Sequence, residues 1–115
     1  MSHSIELTAA DGFVFPVYLA EPAVKPLGSV VVLQEIFGVN THIRSVADGF
    51  AAQGYLALAP STFHRVKPDV DMGYASDDIA AGVALKSQIE MLPVPGVLQD
   101  VQATIDYAAK RTGRV

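Results

Sequence analysis

A short apolar segment that ends abruptly in polar residues constrains the fold of this chain more than any other feature. Residues 30–33 are all apolar, and Gln34, Glu35 and a Phe-Gly pair follow at once. A short, uniformly apolar run is typical of a parallel strand that is covered on both faces, so we predict a buried strand over residues 29–33. Open α/β sheets place ligand sites at the carboxyl ends of such strands. We therefore expect the functional site directly after this strand.

The following segment predicts a helix and a second strand. Asn40 or Thr41 can cap a helix, and Gly54 can end it. The apolar residues of this helix share one face at helical spacing: Ile43, Val46, Ala47, Phe50 and Ala51. Residues 55–59 then predict another buried strand. Because strand, helix and strand succeed one another within about 30 residues, we expect a right-handed βαβ unit whose two strands are parallel neighbours.

The flanking segments predict a hairpin before this unit and two helices after it. Alternating residues surround the turn signal Asp11-Gly12, and Pro16 should restrict the second hairpin strand to a sheet edge or a bulge. Beyond a long loop, Ser76 begins a helix that extends to about Met91. A last helix follows, with these apolar residues in register: Val97, Val101, Ile105 and Ala108. The whole pattern predicts an α/β fold.

Composition limits the classes of function. A chain of 115 residues is one domain at most, and its 50% apolar residues favour a packed core over disorder. Eight basic residues against twelve acidic ones argue against nucleic-acid binding. No apolar run approaches the roughly 20 residues of a membrane span, the N-terminus lacks a signal pattern, and cysteine is absent. We expect a cytoplasmic protein without a membrane or nucleic-acid partner.

The residues around the first predicted helix resemble a known family. Three segments carry the resemblance: Gln34-Glu35-Ile36-Phe37-Gly38-Val39-Asn40 with Ile43-Arg44, Ala52-x-Gly54-Tyr55-x-Ala57-x-Ala59-Pro60, and Phe63-His64-Arg65. They are similar to the N-terminal half of the dienelactone hydrolase family of α/β-hydrolases. The resemblance implies an incomplete α/β-hydrolase, a three-layer αβα fold with an N-terminal hairpin and a parallel central sheet. Residues 1–115 would form the N-terminal part of a single such domain.

The resemblance also implies an activity. Members of the family hydrolyse small esters or lactones by nucleophilic acyl transfer, without a metal or another cofactor. Their nucleophile lies in a Gly-x-Cys-x-Gly-Gly motif after a strand that would begin near Val115, and an Asp and a His follow much later. We therefore expect this chain to supply the oxyanion loop but not the nucleophile, acid or base. As an isolated chain it should be inactive.

Four residues near the oxyanion loop carry functional expectations. The backbone N–H of Ile36 matches one oxyanion donor of α/β-hydrolases. Glu35 matches the family carboxylate that contacts the resting thiol and would accept its proton. Phe37 and Phe63 are expected to bind substrate, although aromatic residues near loops usually cover core. An alternative for Glu35 is a structural carboxylate tied to backbone amides or to Arg44.

Other residues near the motif have structural expectations. Gly38 should allow a turn with positive φ, and Arg44 should be a buried guanidinium that pairs with Glu35 or with carbonyls near the turn. His42 and His64 have no carboxylate or second histidine at ligand spacing, so no metal site is expected.

Two departures from the family pattern bear on the substrate. Pro60-Ser61-Thr62 replaces the common Pro-Asp-Leu, and Lys86 is the one cation between Asp69 and Met91. The founding activity uses an arginine in that region to bind a substrate carboxylate. Hydrolysis of a dienelactone itself is therefore less expected than hydrolysis of other small esters.

Two functions of other classes stay open. The chain could be a non-catalytic, truncated or split α/β protein that is stabilised by oligomerisation or by a partner chain. The apolar strand would then keep an open edge, so we expect a homo-oligomer or a complementing chain. A nucleotide or phosphate site at the helix start after Gly38 is the third possibility, but it lacks a glycine-rich loop or a Walker lysine.

Overall fold

The structure, a computed structural model, describes residues 1–115 as a four-stranded sheet with three helices. The elements are β1 (Ser2–Thr8), β2 (Val14–Ala20), β3 (Ser29–Val31), α1 (Thr41–Ala52), β4 (Leu56–Pro60), α2 (Ser76–Glu90) and α3 (Gly96–Thr112). The strand order is β1-β2-β4-β3. Strands β3 and β4 are parallel, whereas β1 with β2 and β2 with β4 are antiparallel. The predicted α/β class, the hairpin and the parallel β3–β4 pair are confirmed.

The β4 strand separates two layers of core. Its side chains alternate between the faces of the sheet, as in any extended strand. Leu56 and Leu58 pack with Ala108 of α3 on one face, while Ala57 and Ala59 pack with the buried stripe of α1 on the other. Helices therefore cover both faces of this strand, which gives the αβα layering.

Helix α1 begins and packs as its sequence predicts. The Asn40 side chain accepts a hydrogen bond from the Ile43 N–H at 3.1 Å and so caps the helix. Ile43 and Ala47 of the apolar stripe are buried against the sheet. None of the three helices combines the length and the apolar character that crossing a bilayer requires.

Strand β3 is shorter and less buried than predicted. The regular strand ends at Val31 rather than at residue 33, Val30 and Val31 are half-buried, and Leu33 is 57% exposed. The cause is its position at the edge of the sheet, where β4 is its one strand neighbour. On the side of β3 that faces away from β4, the Ser29 N–H donates to the Arg114 carbonyl at 2.8 Å. Side chains beside an open edge keep contact with solvent.

Pro16 lies in an interior strand, so the expectation of an edge or a bulge was wrong. Its strand, β2, has β1 on one side and β4 on the other. The Pro16 carbonyl accepts a hydrogen bond from the Ser61 N–H at 3.1 Å, and regular pairing of β2 with β4 starts at Val17. The missing N–H of Pro16 thus faces the end of the ladder, where a lost donor interrupts no row of bonds.

Helix α3 buries a face that shares only Ala108 with the predicted one. Val97, Val101 and Ile105 are only partly buried. The buried residues recur every fourth position and are small or polar: Gly96, Asp100, Thr104 and Ala108. An apolar count misses this face because two of its members are polar. The Thr104 hydroxyl donates to the Asp100 carbonyl at 2.8 Å, which satisfies it inside the core.

Candidate active site

The turn between β3 and α1 carries most of the predicted site. Gly38 adopts a φ of +82°, a conformation that side-chain-bearing residues rarely take. A Cβ atom at this position would also overlap the Val70 carbonyl. The turn is therefore built around a glycine, and the loop that contains Val70 lies directly against it.

A cavity of about 370 Å³ opens beside this turn. Its walls come from the turn, from the segment after β4, from α2 and from Val97 of α3, and they include Gln34, Glu35, Ile36, Thr62, Phe63, Lys86 and Glu90. The structure thus brings together Glu35, Ile36 and Phe63, three of the residues that the sequence singled out. Phe37 does not line this cavity. It is 9% exposed and packs edge-on against Tyr74, with ring centroids 4.5 Å apart.

Gln34 connects the carboxyl ends of the two parallel strands. Its Oε1 accepts a hydrogen bond from the Thr62 N–H at 3.0 Å, and its Nε2 donates to the Glu35 carbonyl at 3.0 Å. One amide therefore ties the turn after β3 to the segment after β4. The sequence motif contains this glutamine, but its spacing alone does not reveal the partner 28 residues away.

Two backbone donors of the turn are unused. Neither the Ile36 N–H nor the Phe37 N–H donates a hydrogen bond within the chain. Helix α2 packs closely against the Ile36–Phe37 peptide, which carries the Phe37 N–H, because a Cβ at Gly82 would overlap the Ile36 carbonyl. Close packing of α2 against this carbonyl limits how the peptide can rotate, and free N–H groups on a restrained turn can bind a developing negative charge.

The carboxylate of Glu35 is bound by a tyrosine that the sequence did not single out for this role. The Tyr74 hydroxyl donates to Glu35 Oε1 at 2.8 Å and accepts from the Asn40 side-chain amide at 3.2 Å. The Asn40 hydrogen bond lowers the pKa of Tyr74, but the hydrogen bond to Glu35, desolvation and the negative charge of Glu35 together keep that pKa above its ordinary value. The second carboxylate oxygen, Oε2, makes no hydrogen bond within the chain.

Arg44 fastens the loop that carries Tyr74. Its guanidinium donates to the Val39 carbonyl at 2.7 Å, to Asp71 Oδ2 at 3.1 Å and to the Thr41 hydroxyl at 3.2 Å. The contact with a turn carbonyl was one of the two expected partners. The other, Glu35, is not a partner of Arg44 but of Tyr74, and the Arg44 side chain is 33% exposed rather than buried.

A buried ion network supports the segment that bears Phe63. Arg65 donates two hydrogen bonds to Asp100, at 2.9 and 3.1 Å, and two to Asp11, at 2.7 and 2.9 Å. Its guanidinium also lies 4.4 Å from the Phe13 ring centre. The network joins the hairpin turn, the segment after β4 and α3. The sequence indicates Arg65 only as part of a motif, since no local pattern points to two distant carboxylates.

The pKa values of the two carboxylates in this network shift in opposite directions. Hydrogen bonds from Arg65 lower the pKa of Asp11 to about 2. Burial raises the pKa of Asp100, and the Arg65 hydrogen bonds only partly offset this effect. Asp100 is fully buried whereas 30% of the Asp11 side chain is exposed, which explains why desolvation dominates at only one of them.

The histidines of the chain lie outside any cluster of metal-ligand side chains. The His64 Nδ1 accepts a hydrogen bond from the Asp69 N–H at 3.3 Å, and His42 is exposed on α1. The structure contains no group of three or more His, Asp or Glu side chains arranged to hold a metal ion.

Comparison with known proteins identifies the family to which this fold and turn correspond. The sequence profile of the Dienelactone hydrolase family matches residues 15–115. The chain belongs to the dienelactone hydrolase family. One relative is a protein of Synechocystis named "Putative carboxymethylenebutenolidase", which is 47% identical over 92 residues. These residues cover 79% of this chain and 36% of that protein. A protein of Escherichia coli with the same name is 33% identical over 108 residues, which cover 92% and 38%.

A solved structure supports the family assignment at the level of the fold. The crystal structure of a putative dienelactone hydrolase from Klebsiella pneumoniae superposes on this chain with a TM-score of 0.68 at 30% identity. The superposition covers 97% of this chain and 45% of that one. This chain therefore spans less than half the length of these relatives, and the matched part corresponds to their N-terminal portion.

Proposed function

We propose that this chain supplies the oxyanion side of an active site that hydrolyses small esters or lactones by nucleophilic acyl transfer. The observation that carries the proposal is the cavity beside the turn. It joins the carboxylate of Glu35, the peptide of Ile36 and the ring of Phe63 at the carboxyl ends of two parallel strands. This position is where open α/β sheets bind their ligands.

Each of these groups has a role in the proposed reaction. A thiolate from a family segment outside residues 1–115 attacks the ester carbonyl carbon, and the carbonyl oxygen becomes an oxyanion. The free N–H of Ile36 donates to that oxygen as its charge develops. In the resting state Glu35 accepts the thiol proton, which Oε2 is free to do. Phe63 forms the apolar wall against which the acyl group packs.

A chimeric protein tests the proposal. Residues 1–115 would be joined to the remainder of the Synechocystis relative, and turnover of 4-nitrophenyl acetate would be measured. We expect saturable hydrolysis, and we expect Glu35→Gln to change both this rate and the reactivity of the nucleophilic thiol towards iodoacetamide. Glu90→Gln is the matched control, because Glu90 also lines the cavity but pairs with Lys86. An active chimera that is indifferent to Glu35→Gln would show that Glu35 is merely structural.

The unextended chain gives a second test. Residues 1–115 contain no cysteine, and none of their serines lies in a strand-to-helix nucleophile elbow. We expect no turnover of 4-nitrophenyl acetate above background. Saturable hydrolysis that a single serine substitution abolishes would contradict the assignment of the nucleophile to another segment.

We also propose that the free edge of β3 takes up another strand. Gly28 and Val32 hydrogen bond to β4, so the backbone groups of Val31 face the other way, where no strand lies. An unprotected edge of this kind pairs with further chain. For the 115-residue chain alone, we expect a homodimer or larger assembly, whereas a complementing chain that carries the rest of the domain should replace it. A monomer at micromolar concentration in sedimentation equilibrium would refute self-association.

A further inference from the structure

The loop after β4 contacts the turn between β3 and α1 at several points. The Met72 N–H donates to the Phe37 carbonyl at 2.9 Å, and the Asn40 side chain donates to the Met72 carbonyl at 3.0 Å. The Val70 backbone packs against Gly38, and Arg44 pairs with Asp71. These contacts place residues 70–74 along one side of the turn. The loop is therefore part of the site's framework rather than a detached surface segment.

Tyr74 ends this row of contacts and makes the only polar contact with the Glu35 carboxylate within the chain. Its ring packs edge-on against buried Phe37, and its hydroxyl is held by the amide of the helix cap, Asn40. The hydroxyl proton is thus directed at Glu35 Oε1, since the Asn40 amide already donates to the phenol oxygen. Glu35 lines the cavity, whereas Tyr74 does not.

We propose that Tyr74 is a positioning residue for Glu35, because its hydroxyl holds Oε1 from the loop side and leaves Oε2 available to the cavity. This inference rests on the proposed function, in which Oε2 accepts a proton. An exposed glutamate samples several side-chain rotamers in solution. A hydrogen bond to a hydroxyl that is itself held by a ring contact and an amide selects one of them. Tyr74, which lies 39 positions further along the chain, then determines which carboxylate oxygen of Glu35 faces the cavity.

The first test measures this geometry in the 115-residue chain and needs no activity. Three-bond NMR couplings about χ1 of Glu35 report whether one rotamer dominates. We expect single-rotamer couplings in the native chain and averaged ones in Tyr74→Phe. Tyr107→Phe is the matched control, because it removes a hydroxyl that contacts Arg111 on α3 rather than Glu35, and should leave the Glu35 couplings unchanged. Equal Glu35 couplings in the native chain and Tyr74→Phe would overturn the proposal.

A titration examines the same contact from the phenol. With carbon-13-labelled tyrosine, the Tyr74 pKa should fall in Glu35→Gln, because the anionic acceptor that stabilises the protonated phenol is lost. Glu90→Gln should leave it unchanged. A Tyr74 pKa that is insensitive to Glu35→Gln would contradict the hydrogen bond.

The chimera separates failure of this inference from failure of the proposed function. We expect Tyr74→Phe to lower kcat with little change in KM, and the double variant with Glu35→Gln to lose no more than Glu35→Gln alone, since both act through one carboxylate. Tyr107→Phe should retain full activity. If Glu35→Gln lowers kcat and Tyr74→Phe does not, the positioning role is refuted while the proposed function stands. If no chimera is active, the function fails and the rotamer measurement alone decides whether Tyr74 holds Glu35.

Discussion

Removal of Arg65 should strongly destabilise the fold. Its side chain is 8% exposed and gives four hydrogen bonds to two carboxylates, one of which, Asp100, is fully buried. Arg65→Met keeps an unbranched apolar stem but leaves Asp100 without its countercharge. Breaking a buried ion pair from one side costs about 3 to 5 kcal/mol. A domain of this size has a total unfolding free energy of about 6 to 17 kcal/mol.

Companion variants separate the charge from the packing. Asp100→Asn retains one acceptor oxygen and the pair of Arg65 with Asp11, so its cost should be smaller, about 1 to 3 kcal/mol. In Arg65→Met/Asp100→Leu both charges are gone, and the double variant should recover part of the loss of Arg65→Met. Lys86→Met is the control, because the Lys86–Glu90 pair is more than half exposed and should contribute less than about 0.5 kcal/mol.

Urea unfolding followed by far-ultraviolet circular dichroism measures these free energies. The reasoning requires the order Arg65→Met, then Asp100→Asn, then Lys86→Met, from the largest loss to the smallest. It would be refuted by an Arg65→Met protein whose free energy of unfolding lies within about 1 kcal/mol of the native value. It would equally be refuted by a double variant less stable than Arg65→Met.

Two further predictions concern stability. Asp11 has a lowered pKa in the folded state, so its contribution to the unfolding free energy should be lost as the pH falls from 3.8 to about 2. Asp11→Asn should remove this loss from a urea–pH profile, and a slope that is the same in the native chain and in Asp11→Asn would contradict it. Gly82→Ala should destabilise despite its helical position, because the new methyl group overlaps the Ile36 carbonyl, whereas Gly49→Ala in α1 has open space and should stabilise by about 0.4 to 1 kcal/mol in thermal unfolding. Equal shifts in melting temperature for the two glycine variants would show that α2 does not pack closely against the turn.

The sequence was sufficient to predict elements whose residues carry a local periodic signal. The apolar stripe of α1, its Asn40 cap and the uniformly buried β4 all follow from patterns within about 15 residues. Pro16 was misplaced because the tolerance of a strand for proline depends on which neighbour its missing donor faces. That information lies in the register with β4, not in β2.

The candidate site was only partly predictable for a related reason. Glu35 and Ile36 could be singled out because they stand in a motif at the end of a strand. The partners that define their geometry lie far along the chain: Tyr74 for Glu35, and Gly82 for the Ile36 carbonyl. The stripe of α3 that contains Asp100 was hidden because its buried positions are small or polar. Pairing of distant polar groups leaves no periodic trace in a single sequence.

The hydrogen bond from Ser29 to the Arg114 carbonyl has a consequence for any strand that comes to lie beside β3. Gly113 ends α3 with a φ of +76° and turns the chain back towards the sheet, and the Thr112 hydroxyl contacts both the Ser29 hydroxyl and the Arg114 carbonyl. Together these contacts align the first rung of a new ladder. A displacement of one residue would point every side chain of the added strand to the opposite face. If a strand is added beside β3, the cap of α3 would set which side of that strand meets the core.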